Sequence, residues 1–108
     1  LNADEIRECF EKHSEIRYDN IGSEKYHFYE FEKIVNPPSK RQDLCAMLKL
    51  AELVQDEGNM ISASNNGEIF FDPSFDDLAE AGITDDDVVY LIRCGVRVTD
   101  FDCLGMFV

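Results

Sequence analysis

Apolar positions along this chain repeat with two different periods, and the switches between them set out the expected elements. Ile6, Cys9, Phe10 and His13 recur at three- and four-residue steps, which predicts one buried face of an N-terminal helix. Asn2 is placed as its cap, with Glu5 positioned to reach back to the cap's own amide. Glu15 to Asn20 reads as a short strand and Ile21-Gly22-Ser23 as a turn. In YHFYEFEKIV, residues 26–35, alternation of His27, Tyr29, Phe31, Lys33 and Val35 suggests a strand, whereas Phe28, Phe31 and Val35 suit a helix. The aromatic content favours the strand, and Asn36-Pro37-Pro38 ends either one.

Ser39 and Gln42 stand at capping-box spacing before a helix expected over Lys40 to Glu57. Its buried stripe is expected from Leu44, Met47, Leu48, Ala51 and Val54, and Gly58 stops it. The pattern then changes to period two. Met60 to Ser64 and Glu68 to Asp72 flank Asn65-Asn66-Gly67, predicting a hairpin over residues 60–72 that turns on Asn66-Gly67. Pro73 at a first helical position opens a short helix ending at Gly82. Thr84, with Asp87 three residues on, caps another that runs to Cys94 and stops at Gly95. The tail VRVTDFDCLGMFV suits a buried strand or a short helix capped by Thr99. The expected fold is a single α+β domain over residues 1–108, with an N-terminal helix, three further helices and a short antiparallel sheet.

Charge changes this picture more than composition does. The net charge is −13, and residues 50–92, between Lys49 and Arg93, contain no basic side chain. Those 43 residues hold 11 of the 23 acids, so nearly all the excess negative charge lies in one segment. Asp76 and Asp77 fall in one expected helix start and Asp85, Asp86 and Asp87 in another, where free amides and the helix dipole favour carboxylates by about 0.3–1 kcal/mol each. Such a charge disfavours direct binding to nucleic acid or anionic lipid and favours cationic partners. The longest apolar run is five residues, Val88 to Ile92, so no membrane helix is expected. LNADEIRE has no basic and apolar leader pattern. Cys9, Cys45, Cys94 and Cys103 are scattered without a CxxC pair and are expected to be free thiols in a cytoplasmic protein.

Candidate chemistry is sparse. Asp85-Asp86-Asp87 lacks calcium-loop spacing, and the loop beginning Asp100-Phe101-Asp102 runs out of chain before its twelfth position. Cys9 and His13 at i, i+4 are the one local pair suited to zinc or to nucleophilic catalysis, yet they lie on the expected apolar face. Neither a phosphate loop nor a nucleophile elbow is present. No metal, cofactor or catalytic residue is therefore assigned, and the protein is not expected to be an enzyme.

Gly82-Ile83-Thr84, Asp87-Val88, Leu91, Gly95-Val96 and Thr99 lie in LAEAGITDDDVVYLIRCGVRVTDFDCL. This stretch resembles the small domains built on a helix-hairpin-helix, as in the N-terminal part of recombinases. The resemblance implies a second helix after Thr99. It also implies a packing motif without DNA affinity, because Arg97 replaces the hairpin glycine that admits a phosphate and three aspartates open the first helix.

The expected function is that of an inhibitor whose acidic face engages the basic cleft of a nucleic-acid-handling protein. A phage or mobile-element anti-defence protein acting as a nucleic-acid mimic in the host cytoplasm is its sharpest form. The expected contact residues are Asp72, Asp76, Asp77, Glu80, Asp85, Asp86 and Asp87, with Asp4, Glu8, Glu11 and Glu15 from the first helix and Tyr29 from the aromatic run. Two alternatives are a structural or adaptor subunit docking through its aromatic and C-terminal apolar residues, and a small enzyme using Cys9 or His13. Partner identity and oligomeric state are left open.

Overall fold

The computed structural model describes residues 1–13 and 31–108. The expected strand at 15–20, the turn at 21–23, Glu15 and the aromatics Tyr26, Phe28 and Tyr29 lie outside the described residues. The described end of the 26–35 segment is not a strand. The Ile34 amide donates to the Phe31 carbonyl at 3.1 Å, turning the backbone, and Asn36 follows with φ 50°.

The fold is α+β. Four helices are described, α1 (Ala3–Lys12), α2 (Gln42–Leu53), α3 (Phe75–Ala81) and α4 (Asp85–Arg93), together with β1 (Ile61–Asn65), β2 (Glu68–Phe71), β3 (Arg97–Val98) and β4 (Leu104–Phe107). The four strands form one sheet in the order β1-β2-β4-β3, every neighbouring pair antiparallel.

Local chemistry accounts for most boundaries. Asn2–Glu5, Ser74–Asp77 and Thr84–Asp87 are reciprocal capping boxes, so α1, α3 and α4 each begin with two of their free amide donors satisfied. Gly82 in the left-handed region ends α3. Asn66 and Gly67, with φ 50° and 79°, make the two-residue turn that pairs Asn65 with Glu68.

Three expected boundaries move. Ser39 does not cap α2: its hydroxyl accepts from the Arg41 amide, and Arg41, without a side-chain cap, precedes the helix. That helix ends at Leu53 rather than Glu57, its Val54 cap already extended. Pro73 is buried one position before the Ser74 cap and is not in the helix.

α1 packs against α3 and α4, and all four helices contribute to a core closed by one face of the sheet. Ile6, Leu50, Phe71, Leu78, Leu91, Ile92, Val96 and Leu104 are completely or almost completely buried there. The stripe expected for α2 is displaced. Cys45, Ala46 and Leu50 face the core, whereas Leu44 and Leu48 are substantially exposed. Apolar residues occupy nearly every direction around α2, so periodicity does not select its buried face and contact does.

The second helix implied after Thr99 is replaced by a β-hairpin. Buried Thr99 holds the turn: its amide and its hydroxyl donate to the Cys103 carbonyl at 2.8 and 3.0 Å, and Asp102 takes φ 57°. β4 is thereby delivered to the free edge of β2, which no helix could satisfy. Where β4 crosses β2, a Cβ on Gly105 would lie 2.6 Å from the Ile69 carbonyl oxygen and 2.7 Å from Thr99 Cγ2. Phe101 covers the sheet's other face, edge-on to Phe70 with ring centroids 5.4 Å apart.

Candidate functional site

The described candidate acids sit on α1, on the two helices that pack against it, and at Asp72 just before them. The capping box of α3 leaves Asp76 exposed and spends Asp77 on the Ser74 amide at 3.0 Å. The capping box of α4 leaves Asp86 exposed and spends one oxygen of Asp87 on the Thr84 amide at 3.0 Å. Beyond the caps, tertiary contacts divide these carboxylates into two classes.

Some are neutralised by bases, most of them distant in sequence. Asp87 pairs with Lys49 at 2.8 Å, each side chain about one-fifth exposed (19% and 20%). Burial raises the carboxyl's pKa, but hydrogen bonds from Lys49 and Thr84 outweigh it, and the net shift is downward. Asp85 accepts from the Cys9 thiol at 3.0 Å, lies 3.1 and 3.2 Å from His13 Nε2, and has Lys12 Nζ at 4.0 Å. The hydrogen bonds from Cys9 and then His13 hold its pKa below the ordinary carboxylate value. Glu68 pairs with Arg97, whose guanidinium covers the Phe107 ring at 4.4 Å. On α1, Asp4 pairs with Arg7, which also holds Asp102 with two hydrogen bonds at 2.9 and 2.8 Å and lies over the Phe75 ring. Asp102, which begins to resemble a calcium loop in sequence, is thus engaged by an arginine.

The second class remains open. Among the described residues, Asp72, Asp76, Glu80, Asp86, Glu8 and Glu11 are exposed without an ion-pair partner within 4.0 Å. Glu15 and Tyr29 lie outside the described residues. The segment that contains no base is therefore partly compensated in space: Lys12, Lys49 and Arg97 return to three of its acids. Sequence separations such as the 29 residues between Glu68 and Arg97 carry no local signal that would reveal this.

Sequence reasoning also misses the junction of α1 with α4. Cys9 and His13 lie on the face that packs there, as their i, i+4 spacing requires, and Asp85 meets both. The buried thiol is pushed up to about 11, first by burial and then by the Asp85 carboxylate, so it is protonated at neutral pH. All four cysteines are free thiols, three of them buried.

Open concavities mark the surface of the described residues, three of them as follows. One of about 210 Å³ is lined by Val54, Asp56, Glu57, Met60 and Asp72. Another, of about 320 Å³, lies between β1 and Phe101. The third, about 400 Å³, joins Lys40 and Arg41 to Met106, Phe107 and Val108. Among the described residues, no helix is long and apolar enough to cross a membrane. No family model matches the chain, and neither a curated protein nor a solved structure matches it.

Proposed function

We propose that this chain is a non-enzymatic inhibitor that presents an acidic face to the basic cleft of a nucleic-acid-handling protein, as a nucleic-acid mimic. A phage or mobile-element anti-defence protein working in the host cytoplasm is the sharpest form of this reading. The observation that carries it is the set of exposed acids that have no ion-pair partner among the described residues: Asp76, Glu80 and Asp86 on two neighbouring helices, with Asp72 before them and Glu8 and Glu11 on α1. A net charge of −13 accelerates encounter with a cationic groove, and unpaired surface carboxylates lose no internal partner when they dock. The protonated Cys9 thiol argues against a thiolate nucleophile in the same region.

The experiment separates open acids from engaged ones. Asp76→Lys, Glu80→Lys and Asp86→Lys together should reduce affinity for a basic partner captured from the host by at least about tenfold. The neutral set Asp76→Asn, Glu80→Gln and Asp86→Asn should produce a smaller loss, and duplex DNA or RNA should compete with the capture. Lysine at Asp76 or Asp86 costs about 0.3–1 kcal/mol at its helix start, so circular dichroism monitors the fold. Capture that survives both charge reversal and high salt would sink the reading.

An adaptor role has one specific observation in its favour. Phe107 and Val108 are 62% and 69% exposed beside the groove that contains Lys40 and Arg41. This alternative requires binding that resists salt and is weakened by Phe107→Ser. Its aromatic half now rests on fewer residues, since Phe31 packs against the core.

A further inference from the structure

We infer that Cys9, His13 and Asp85 form a binding site for a zinc-class divalent metal, with a fourth coordination position open to solvent. The observation is the convergence of three different donor types from two helices. Cys9 Sγ lies 3.0 Å from Asp85 Oδ1, His13 Nε2 lies 3.1 Å from the same oxygen, and the three donor atoms are mutually within 4.8 Å. Zinc binds thiolate at about 2.3 Å and imidazole or carboxylate at about 2.0–2.2 Å, which places tetrahedral ligands roughly 3.3–3.7 Å apart, the sulfur edges being the longer ones. To receive the ion, Cys9 Sγ and Asp85 Oδ1 separate by about half an ångström, His13 Nε2 and Asp85 Oδ1 by a few tenths, and the third edge closes from at most 4.8 Å.

The donor set selects the metal. Sulfur and imidazole nitrogen favour zinc, cobalt or copper over calcium or magnesium, which prefer oxygen alone. As the metal–sulfur bond forms, the thiol proton leaves to solvent and the ion sheds bound water. Thiolate and carboxylate together then balance the two positive charges. The surrounding electrostatics are permissive as well. His13 lies at the negative end of α1, which offsets the positive start of α4, and Asp86 and Asp87 follow in the same turn. Lys12 approaches Asp85 only at 4.0 Å from its exposed side. Cys9 is buried whereas the Asp85 side chain is 50% exposed, so the site opens on the carboxylate side. A metal there would clamp the end of α1 to the start of α4. Because Asp85 is outside the open acidic set, this inference does not depend on the proposed inhibitor function.

The test uses the full chain, reduced and stripped of metal, with Co²⁺ and Zn²⁺ as the probes. One equivalent of Co²⁺ should produce a thiolate-to-cobalt charge-transfer band with the visible absorption of tetrahedral cobalt, and Zn²⁺ should displace it. Cys9→Ser should abolish the charge-transfer band, and His13→Gln should weaken binding at least about tenfold. Asp85→Asn retains a hydrogen-bond acceptor at the helix start, so it keeps the junction folded, and it should weaken binding by a similar factor. Absence of the band in the parent protein, its persistence in Cys9→Ser, or unchanged affinity in Asp85→Asn would each overturn the inference.

Discussion

Gly105 shows how strongly one residue constrains this sheet. Its backbone lies in β4 opposite Phe70, and its need is space: Ile69's carbonyl and Thr99's methyl occupy the volume of a side chain. The carbonyl belongs to the ladder and cannot withdraw without breaking pairing. Gly105→Ala should therefore destabilise the protein by about 1–3 kcal/mol, the usual cost of overpacking, measured by urea unfolding. A loss below about 0.5 kcal/mol would show that β2 and β4 are less closely apposed. The same residue-level view separates Asp85 from Asp86. Consecutive and chemically identical, they differ because Asp85 faces α1 while Asp86 remains exposed.

Individual elements owe much of their definition to their ends. α3 has seven residues and α4 nine, too short to persist alone, and each begins with a reciprocal cap. Thr84→Ala removes the hydroxyl that accepts from the Asp87 amide at 3.2 Å. It should cost about 0.5–2 kcal/mol, read as a lower urea midpoint with an unchanged slope. Asp87 adds a tertiary role, since its carboxylate also receives Lys49 from α2. Thr84 thus positions an ion pair as well as a helix start, and the loss should fall in the upper part of that range.

At the scale of the molecule, ion pairs and excess charge act in opposite directions under salt. The pairs of Arg7, Lys12, Lys49 and Arg97 weaken as ionic strength rises, whereas repulsion among the remaining carboxylates is relieved. Most of these pairs are partly exposed, where each contributes only about 0–1 kcal/mol. The net charge of −13 is unusually large for 108 residues, so repulsion dominates. The thermal midpoint should rise between low salt and about 0.5 M NaCl as the screening length falls below about 10 Å. A midpoint that falls would mean that internal pairs outweigh repulsion, and would weaken the case for a surface held ready for a cationic partner.

What the sequence by itself determined is local. Caps at Asn2, Ser74 and Thr84 and turns at Asn66-Gly67, Gly82 and Gly95 are chosen by residues within a few positions of one another, and most were legible; only Ser74 was masked by the adjacent Pro73. The face of α1 was legible too, because its apolar residues fill one side. Tertiary structure decided what depends on distant partners. It selected the buried side of α2, whose apolar residues point in nearly every direction. It made a strand of the segment after Thr99, because β2 has an edge to be paired. It also brought Lys49 to Asp87 and Cys9 to Asp85, across separations that no spacing rule spans. Of the candidate site, the chain alone showed where carboxylates accumulate. Packing decided which of them stay exposed and which are engaged within the fold.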